Sequence, residues 1–296
     1  MDVRDRVATG LVLDGGLATE LERSGADLSD DLWSARVLLE EPTRIRAAHA
    51  AFFDAGADVA ITASYQVTYE GLARHGLDRG ETARLLTWSV RLARDAADEA
   101  GGDRLVAASV GPYGAWLADG SEYVGDYGIG APELTDWHRP RIEVLLAAAP
   151  DLLAVETIPS VVEAEAVVAV LAEVPEARAW VSFSCRDGDR ISDGTPIAEA
   201  VALAASSPQV VAVGVNCTPP GFVPSLLASA AGANLPLVAY PNLGSTWDAT
   251  GRAWRVEGPR PDLAAGSVAW RAAGATVIGG CCGVTPEDIA AIAAAA

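Results

Sequence analysis

Apolar and polar positions follow a repeating pattern along the chain. Short runs of β-branched and other apolar residues end in small or polar residues, and an alanine-rich amphipathic stretch follows each run. Short apolar runs are typical of buried strands, and apolar residues that recur every three to four positions are typical of helices. The pattern predicts eight strands, at residues 10–16, 58–65, 105–111, 152–158, 179–185, 210–217, 235–242 and 276–282.

The stretches between these runs predict eight helices. Thr-Pro pairs at 195–196 and 285–286 mark two helix starts, because proline suits the first turn of a helix. The predicted helices cover residues 35–56, 81–100, 133–149, 160–173, 197–206, 221–231, 262–273 and 286–295.

The order of these elements predicts the fold class. Strands that are apolar at nearly every position are buried on both faces, which is typical of a parallel sheet. Eight β/α alternations predict an α/β protein that folds as a single (β/α)8 TIM barrel. No composition shift or linker marks a second domain, so we expect one domain over residues 1–296. The longest insertion, 112–133, predicts a loop over one barrel mouth.

Composition narrows the class of protein. The chain has 296 residues, half of them apolar, and a net charge of −19, which argues against nucleic acid and anionic membranes as partners. No apolar run reaches the roughly 18 residues that span a membrane, and the polar start lacks a signal-peptide core. We expect a cytoplasmic protein with small-molecule partners. All 21 basic residues are arginine, which excludes lysine-based chemistry.

Polar and sulfur-containing side chains collect at the ends of the predicted strands. Barrel enzymes place their chemistry at the carboxyl ends of the strands, so these side chains predict an active face. They are Asp14, Ser64, Tyr65, Gln66, Glu156, Thr157, Ser184, Cys185, Asn216, Cys217, Asn242, Cys281 and Cys282.

The adjacent pair Cys281-Cys282, within "GGCCG", needs a special explanation. A disulfide between neighbours is strained, and a cytoplasmic chain is kept reduced. The flanking glycines let the backbone leave the strand, so that both thiols face one point. With zinc–sulfur bonds of about 2.3 Å, two ligand sulfurs lie roughly 3.8 Å apart. With Cys217 from strand six, the pattern favours a metal site over simple packing, whereas Cys185 fits packing better.

Several segments together resemble the homocysteine S-methyltransferase family, in order and over nearly the whole chain. The resemblance implies a barrel with Zn²⁺ held by Cys217, Cys281 and Cys282, and a substrate thiol in the open fourth position. The length resembles the short, cobalamin-independent branch that uses S-methylmethionine or S-adenosylmethionine to methylate L-homocysteine, giving methionine. The segments are "LDGGLATELE", "ITASYQ", "SVGPYGAWLADGSEYVGDY", "AVETIP", "SDGT", "VGVNCTPP", "YPN" and "GGCCGVTP".

The resemblance also implies how the substrate is held. Asp14 and Glu156 are expected to pair with the homocysteine ammonium group, as the corresponding carboxylates of the family do. For the substrate carboxylate, we expect backbone N–H groups around Gly15 and Gly16 and the hydroxyl of Ser64. No catalytic residue is expected beyond the zinc-activated substrate thiolate.

Two aromatic residues and the histidines are the remaining candidates for a role at the site. Trp116 and Tyr123, in the 112–133 insertion, are candidates for shielding a sulfonium through cation–π contact, with packing as the alternative. The three histidines are expected on the surface or in packing.

The chain departs from the family pattern at two places. Leu243 and Ser245 follow "YPN" where the short branch has serine and glutamate, and Gly283-Val284 replaces Arg-Thr after the doublet. Selenocysteine or another small thiol remains an alternative acceptor. A zinc hydrolase and a non-catalytic zinc-binding barrel are the alternatives of another class, and thiol-dependent consumption of a sulfonium donor separates them from a methyltransferase.

Overall fold

The computed structural model describes residues 2–28, 34–117, 119–244, 246–248, 253–255 and 259–295. Eight parallel strands surround a central core, as the sequence predicts. They are β1 (Leu11–Val12), β2 (Val59–Ile61), β3 (Leu105–Val110), β4 (Leu152–Ile158), β5 (Ala179–Phe183), β6 (Val210–Asn216), β7 (Leu237–Tyr240) and β10 (Ala275–Ile278). Between β7 and β10, the short strands β8 (Thr246–Asp248) and β9 (Ala253–Arg255) form an antiparallel pair.

The eight strands close into a ring. The sheet order is β1-β10-β7-β6-β5-β4-β3-β2, so each strand pairs with its neighbours in sequence around the barrel. Leu13 and Val59 form the parallel bridge that joins the two ends of the sheet, and the Asp14 N–H donates to the Val59 carbonyl at 3.0 Å. The predicted (β/α)8 TIM barrel is confirmed.

Helices surround the ring, and each predicted helical region is helical. The helices are α1 (Val3–Thr9), α2 (Leu17–Arg23), α3 (Ser34–Glu40), α4 (Pro42–Asp54), α5 (Tyr69–Ala73), α6 (Arg79–Ala100), α7 (Tyr113–Leu117), α8 (Ala131–Ala147), α9 (Val161–Ala172), α10 (Ile197–Ala205), α11 (Val223–Ala230), α12 (Leu263–Ala272) and α13 (Pro286–Ala294).

Some predicted boundaries are wrong. The single helix predicted over 35–56 is two helices, because Glu41 leaves the helical conformation, with φ −135°, before Pro42 starts α4. The predicted strand one is too long at both ends and the predicted strand eight is too long at its carboxyl end, since β1 covers Leu11–Val12 and β10 ends at Ile278. The chain therefore leaves the sheet before the cysteine doublet.

The apolar core has two layers. Inside the ring, side chains such as Leu11, Trp180 and Val277 pack together, and Val7 of α1 covers the amino-terminal end of the ring. A larger layer lies between the strands and the outer helices. Every residue of β3, β4 and β6 is buried, as expected for strands covered on both faces. Among the described helices, none combines the length and apolar character needed to span a membrane.

Candidate active site

Cys217 directly follows β6, where the backbone turns sharply. Its φ of +46° lies in the left-handed region, which is uncommon for a residue other than glycine. Two backbone contacts hold it there: the Cys217 N–H donates to the Tyr240 carbonyl at 3.1 Å, and the Asn242 side-chain amide donates to the Cys217 carbonyl at 3.1 Å. Asn242, two residues after β7, thus stabilises the turn at Cys217 and with it the direction of the Cys217 thiol.

The cysteine doublet lies on a tight loop after β10. The Cys281 N–H donates to the Pro241 carbonyl at 2.8 Å, which fixes the start of the loop. A side chain at Gly280 would overlap Val284, so the loop needs glycine at this position. The doublet is thereby held at the rim of the barrel, beside the turn that carries Cys217.

The structure brings the three predicted metal ligands together. The Cys282 sulfur lies 3.7 Å from that of Cys217 and 3.9 Å from that of Cys281, and the three sulfurs lie within 4.8 Å of one another. These spacings agree with the roughly 3.8 Å between two thiolates on one tetrahedral zinc ion. All four cysteines of the chain are free thiols. The cluster can therefore hold a metal ion through three sulfurs.

The thiols of the cluster also influence one another. Hydrogen bonding by Cys281 and Cys282 holds the pKa of Cys217 well below its usual range. Cys185 is separate from the cluster; its thiol points to the Phe183 carbonyl at 3.8 Å, and burial raises its pKa. This placement agrees with the packing role predicted for Cys185.

A cavity opens above the sulfur cluster at the carboxyl ends of the strands. It measures about 1130 Å³ including its open mouth, and a cavity of this size accommodates small organic substrates. Its walls combine glycines, aromatic rings and carboxylates with the three thiols. Among the lining residues are Gly15, Gly16, Tyr65, Glu122, Tyr123 and Glu156.

Glu156 and Asp14 are buried acids beside this cavity. The Ser109 hydroxyl donates to Glu156 at 2.5 Å, but burial outweighs this bond and raises the pKa of Glu156 to about 7. Asp14 accepts the Ile61 N–H at 2.8 Å, while its other oxygen is buried without a partner. Burial, with a smaller effect from Glu156, raises the pKa of Asp14 well above its usual range. Neither acid forms a salt bridge with a described basic residue.

The other predicted substrate contacts are placed less favourably. Gly15 and Gly16 line the cavity, but the Gly16 N–H already donates to the Val284 carbonyl at 2.9 Å. Ser64 is fully buried; its hydroxyl donates to the Ser109 carbonyl at 2.7 Å and lies 2.7 Å from the Thr62 hydroxyl. Ser64 is therefore engaged in joining β2 to β3, and the predicted contact with a substrate carboxylate does not fit this placement.

The 112–133 segment lies over the mouth, as predicted, and it contributes residues that sequence reasoning missed or misjudged. The Tyr123 hydroxyl lies 3.4 Å from the Cys217 sulfur. Trp116, the other predicted shield, does not line the cavity; its ring carries the Arg74 guanidinium 4.3 Å from its centre. Glu122 does line the cavity, and burial raises its pKa to about 7. The sequence feature that could have identified Glu122 as a cavity residue is its position next to Tyr123 in "DGSEY".

One buried carboxylate anchors this segment to the outer helices. Glu163, on α9, accepts the Tyr113 N–H at 2.5 Å and the Tyr127 hydroxyl at 3.0 Å. It also lies 2.9 Å from Nε2 of His138, which is fully buried. These contacts bracket the part of the segment that carries Glu122 and Tyr123. His138 therefore packs against Glu163 and helps to anchor the segment, and this contact involves no residue of the sulfur cluster.

The two departures from the family pattern meet in space. Gly283 has a φ of +83°, and a side chain there would come within 2.7 Å of Leu243. Leu243 is thus accommodated by the glycine that follows the doublet. Ser245, the other residue of this departure, lies outside the described residues.

Comparison with known proteins agrees with this geometry. Residues 11–296 match the family model described as homocysteine S-methyltransferase. A homocysteine S-methyltransferase of Escherichia coli is 50% identical over 292 residues, covering 96% of this chain and 94% of that protein. Homocysteine S-methyltransferase YbgG of Bacillus subtilis is 47% identical over 294 residues, covering 96% of this chain and 93% of its own.

Solved structures give the same result. The metallated form of the homocysteine methyltransferase MmuM from Escherichia coli superposes with a TM-score of 0.87 at 48% identity, covering 97% of this chain and 96% of that one. The apo form of MmuM gives a TM-score of 0.78 at the same coverage. The chain belongs to the homocysteine S-methyltransferase family. The near-complete mutual coverage also agrees with its short branch.

Proposed function

We propose that the protein transfers a methyl group from a sulfonium donor to the thiol of L-homocysteine, giving methionine, with Zn²⁺ held by Cys217, Cys281 and Cys282. The observation that carries the proposal is the cluster of three sulfurs, 3.7 and 3.9 Å apart, at the floor of an acid-lined cavity. Family membership and the likeness to metallated MmuM support it.

The residues present suit zinc and its chemistry. Three thiolates leave one position of a tetrahedral ion open, as in catalytic zinc sites. When bound, the ion would favour the thiolate form of homocysteine, which is the nucleophilic form. A sulfonium donor carries an electrophilic methyl group and leaves as a neutral thioether. The protein's remaining task is to position the two substrates in line.

Asp14 and Glu156 are suited to hold the homocysteine ammonium group. Both are buried carboxyls, and neither has a basic partner among the described residues. A substrate cation would supply the missing charge and lower both pKa values, because an opposite charge nearby favours the ionised form. Ser109 would orient Glu156 through the 2.5 Å hydrogen bond.

For the donor, we propose S-methylmethionine ahead of S-adenosylmethionine. The glycine-rich segment "LDGGLATE" lacks the G-x-G-x-x-G spacing of a nucleotide-binding loop. An adenosyl group would therefore lie in the open mouth with little dedicated recognition. S-methylmethionine has only a methyl group in that place, which needs no such recognition.

The test is an activity matrix with metal analysis. Homocysteine, selenocysteine and other small thiols are each combined with S-methylmethionine and S-adenosylmethionine, and zinc is measured per chain. We expect about one zinc per chain and the highest kcat/KM for homocysteine with S-methylmethionine. A higher kcat/KM for selenocysteine than for homocysteine would identify selenocysteine as the acceptor. Ester or amide hydrolysis without methyl transfer would indicate a zinc hydrolase, and zinc without any activity would indicate a binding protein.

Two further expectations belong to this proposal. Residues 1–296 act as one domain, which is supported by a single ring whose strands run from Leu11 to Ile278. The protein works in the cytoplasm, where thiols are kept reduced; its free cysteines support this location.

A further inference from the structure

Glu122 is an acid at the cavity to which the proposed chemistry gives no role. It belongs to a short 3-10 helix, Ser121–Tyr123, on the segment that covers the mouth. Its Oε2 atom is buried and accepts no hydrogen bond, and no described arginine pairs with it. Burial raises its pKa to about 7. A buried acceptor without a donor is costly, so its presence at a cavity calls for a ligand that supplies one.

The backbone around Glu122 is held firmly. The Ser184 hydroxyl donates to the Glu122 carbonyl at 3.3 Å. Gly114 of α7 packs so closely on the Glu122 amide that a side chain at Gly114 would overlap it. The bonds of Glu163 to Tyr113 and Tyr127 fix the segment on both sides. The backbone that carries the carboxylate is therefore held before a ligand binds, which lowers the entropy cost of ordering the segment on binding.

Glu122 is also distinct from the acid pair at the strand ends. Asp14 lies two residues beyond β1 and Glu156 lies within β4, so both acids belong to the barrel itself. Glu122 lies on the segment between β3 and α8 and lines the same cavity as Glu156. The cavity therefore has an acid on its barrel side and another on the segment that covers it.

We propose that Glu122 binds the α-ammonium group of the methyl donor. This inference rests on the proposed function, in which two amino-acid substrates meet at the sulfur cluster. The acceptor must place its sulfur at the floor, so its ammonium group falls to Asp14 and Glu156. The donor must approach that sulfur from the mouth, where partly buried Glu122 lines the cavity with an Oε2 atom that accepts no hydrogen bond.

The chemistry favours the ammonium group over the sulfonium as the partner of Glu122. An orphaned carboxylate oxygen needs an N–H or O–H donor, and a sulfonium centre has neither. The sulfonium charge also disappears during methyl transfer, so a carboxylate against it would stabilise the ground state more than the transition state. The ammonium charge is unchanged throughout the reaction. Its contact with Glu122 therefore strengthens donor binding without slowing the chemical step.

The experiment compares two donors and two variants of the zinc-loaded enzyme. S-methylmethionine carries the ammonium group, whereas 4-(dimethylsulfonio)butanoate has the same dimethylsulfonium and carboxylate at the same spacing without it. Glu122→Gln keeps the shape of the side chain and removes its charge. Asp126→Asn is the matched control, because Asp126 lies exposed on the same segment and outside the cavity lining. KM for each donor is measured at saturating homocysteine, and KM for homocysteine at saturating donor.

We expect Glu122→Gln to raise KM for S-methylmethionine about tenfold or more, the usual loss for a desolvated charged hydrogen bond. KM for 4-(dimethylsulfonio)butanoate and for homocysteine should change less than about twofold, and Asp126→Asn should change none of the three KM values. Equal losses with both donors, or a rise in the homocysteine KM instead, would overturn the assignment. If the wild-type enzyme used neither of these donors nor S-adenosylmethionine, the proposed function itself would fail, which is a different outcome.

Discussion

The acids at the two ends of the barrel differ in burial and in their partners. At the amino-terminal end, Asp151 precedes β4, accepts the Val106 N–H at 2.7 Å and pairs with Arg94 at 2.6 Å. Asp58 precedes β2, accepts the Val12 N–H at 2.9 Å and lies 3.4 Å from Arg104. The side chains of Asp151 and Asp58 are 28% and 32% exposed, and each has both a hydrogen-bond donor and a cation from the protein.

At the mouth, the carboxyls of Asp14, Glu122 and Glu156 have no arginine among the described residues. Burial raises the pKa of each, and the uncompensated charge costs free energy of folding. The acids of the amino-terminal end therefore stabilise the fold, whereas those of the mouth are suited to a cationic ligand. A folded protein retains unpaired acids where a substrate supplies the missing cation.

The largest effect is expected at the sulfur cluster. Replacing Cys217, Cys281 or Cys282 by serine should remove zinc and activity together, because a three-thiolate site loses a ligand with each change. Zinc content and methyl transfer are measured on the same samples. Cys185→Ser is the control and should retain both. Full zinc retention in Cys282→Ser would contradict the three-sulfur site.

The next effect concerns the mouth acids. Glu156→Gln keeps the side-chain shape and should weaken homocysteine binding by about 2–5 kcal/mol, since it removes a desolvated partner of the ammonium group. Steady-state kinetics at saturating donor should show the loss in the homocysteine KM, with zinc content unchanged. An unaltered KM would assign Glu156 to the fold, and the difference between the two ends would lose its best support.

The pH dependence should follow the same acids. The pKa of Glu156 and that of Glu122 are raised to about 7, so both carboxyls are charged above pH 7 and become neutral below it. Only the charged form attracts an ammonium group. We therefore expect kcat/KM to fall as pH drops below about 7, by up to roughly tenfold per unit for each group. Glu156→Gln should flatten the fall for homocysteine, and zinc analysis at each pH separates it from metal loss.

The smallest effect on activity is expected at the opposite end. Asp151→Ala removes the partner of Arg94 and of the Val106 N–H, and should lower the free energy of unfolding by about 1–3 kcal/mol. The melting temperature should fall by a few degrees, with kcat/KM within about twofold of the wild-type value. A large loss of activity with unchanged stability would show that the two ends are not divided in this way.

Much of the architecture could be predicted from the sequence. Apolar runs buried on both faces identified the eight strands, and their alternation with amphipathic stretches identified the barrel. Strand direction then assigned Cys217, Glu156 and the doublet to one face, because parallel strands end together. Helices α1, α2, α5 and α7 were missed, since each is only five to seven residues long and too short to show a periodic apolar stripe.

The partners of each side chain were decided by the tertiary structure. Cys217 and Cys282 are 65 positions apart in sequence, and their 3.7 Å spacing depends on β7 lying between β6 and β10 in a closed ring. Asp14 and Ser64 both follow strands closely, yet the Ser64 hydroxyl donates to the Ser109 carbonyl while one Asp14 carboxylate oxygen stays unpaired. Sequence fixes which groups reach the mouth, because burial periodicity is local. Whether a group there is satisfied depends on contacts between distant segments, which form only when the ring closes.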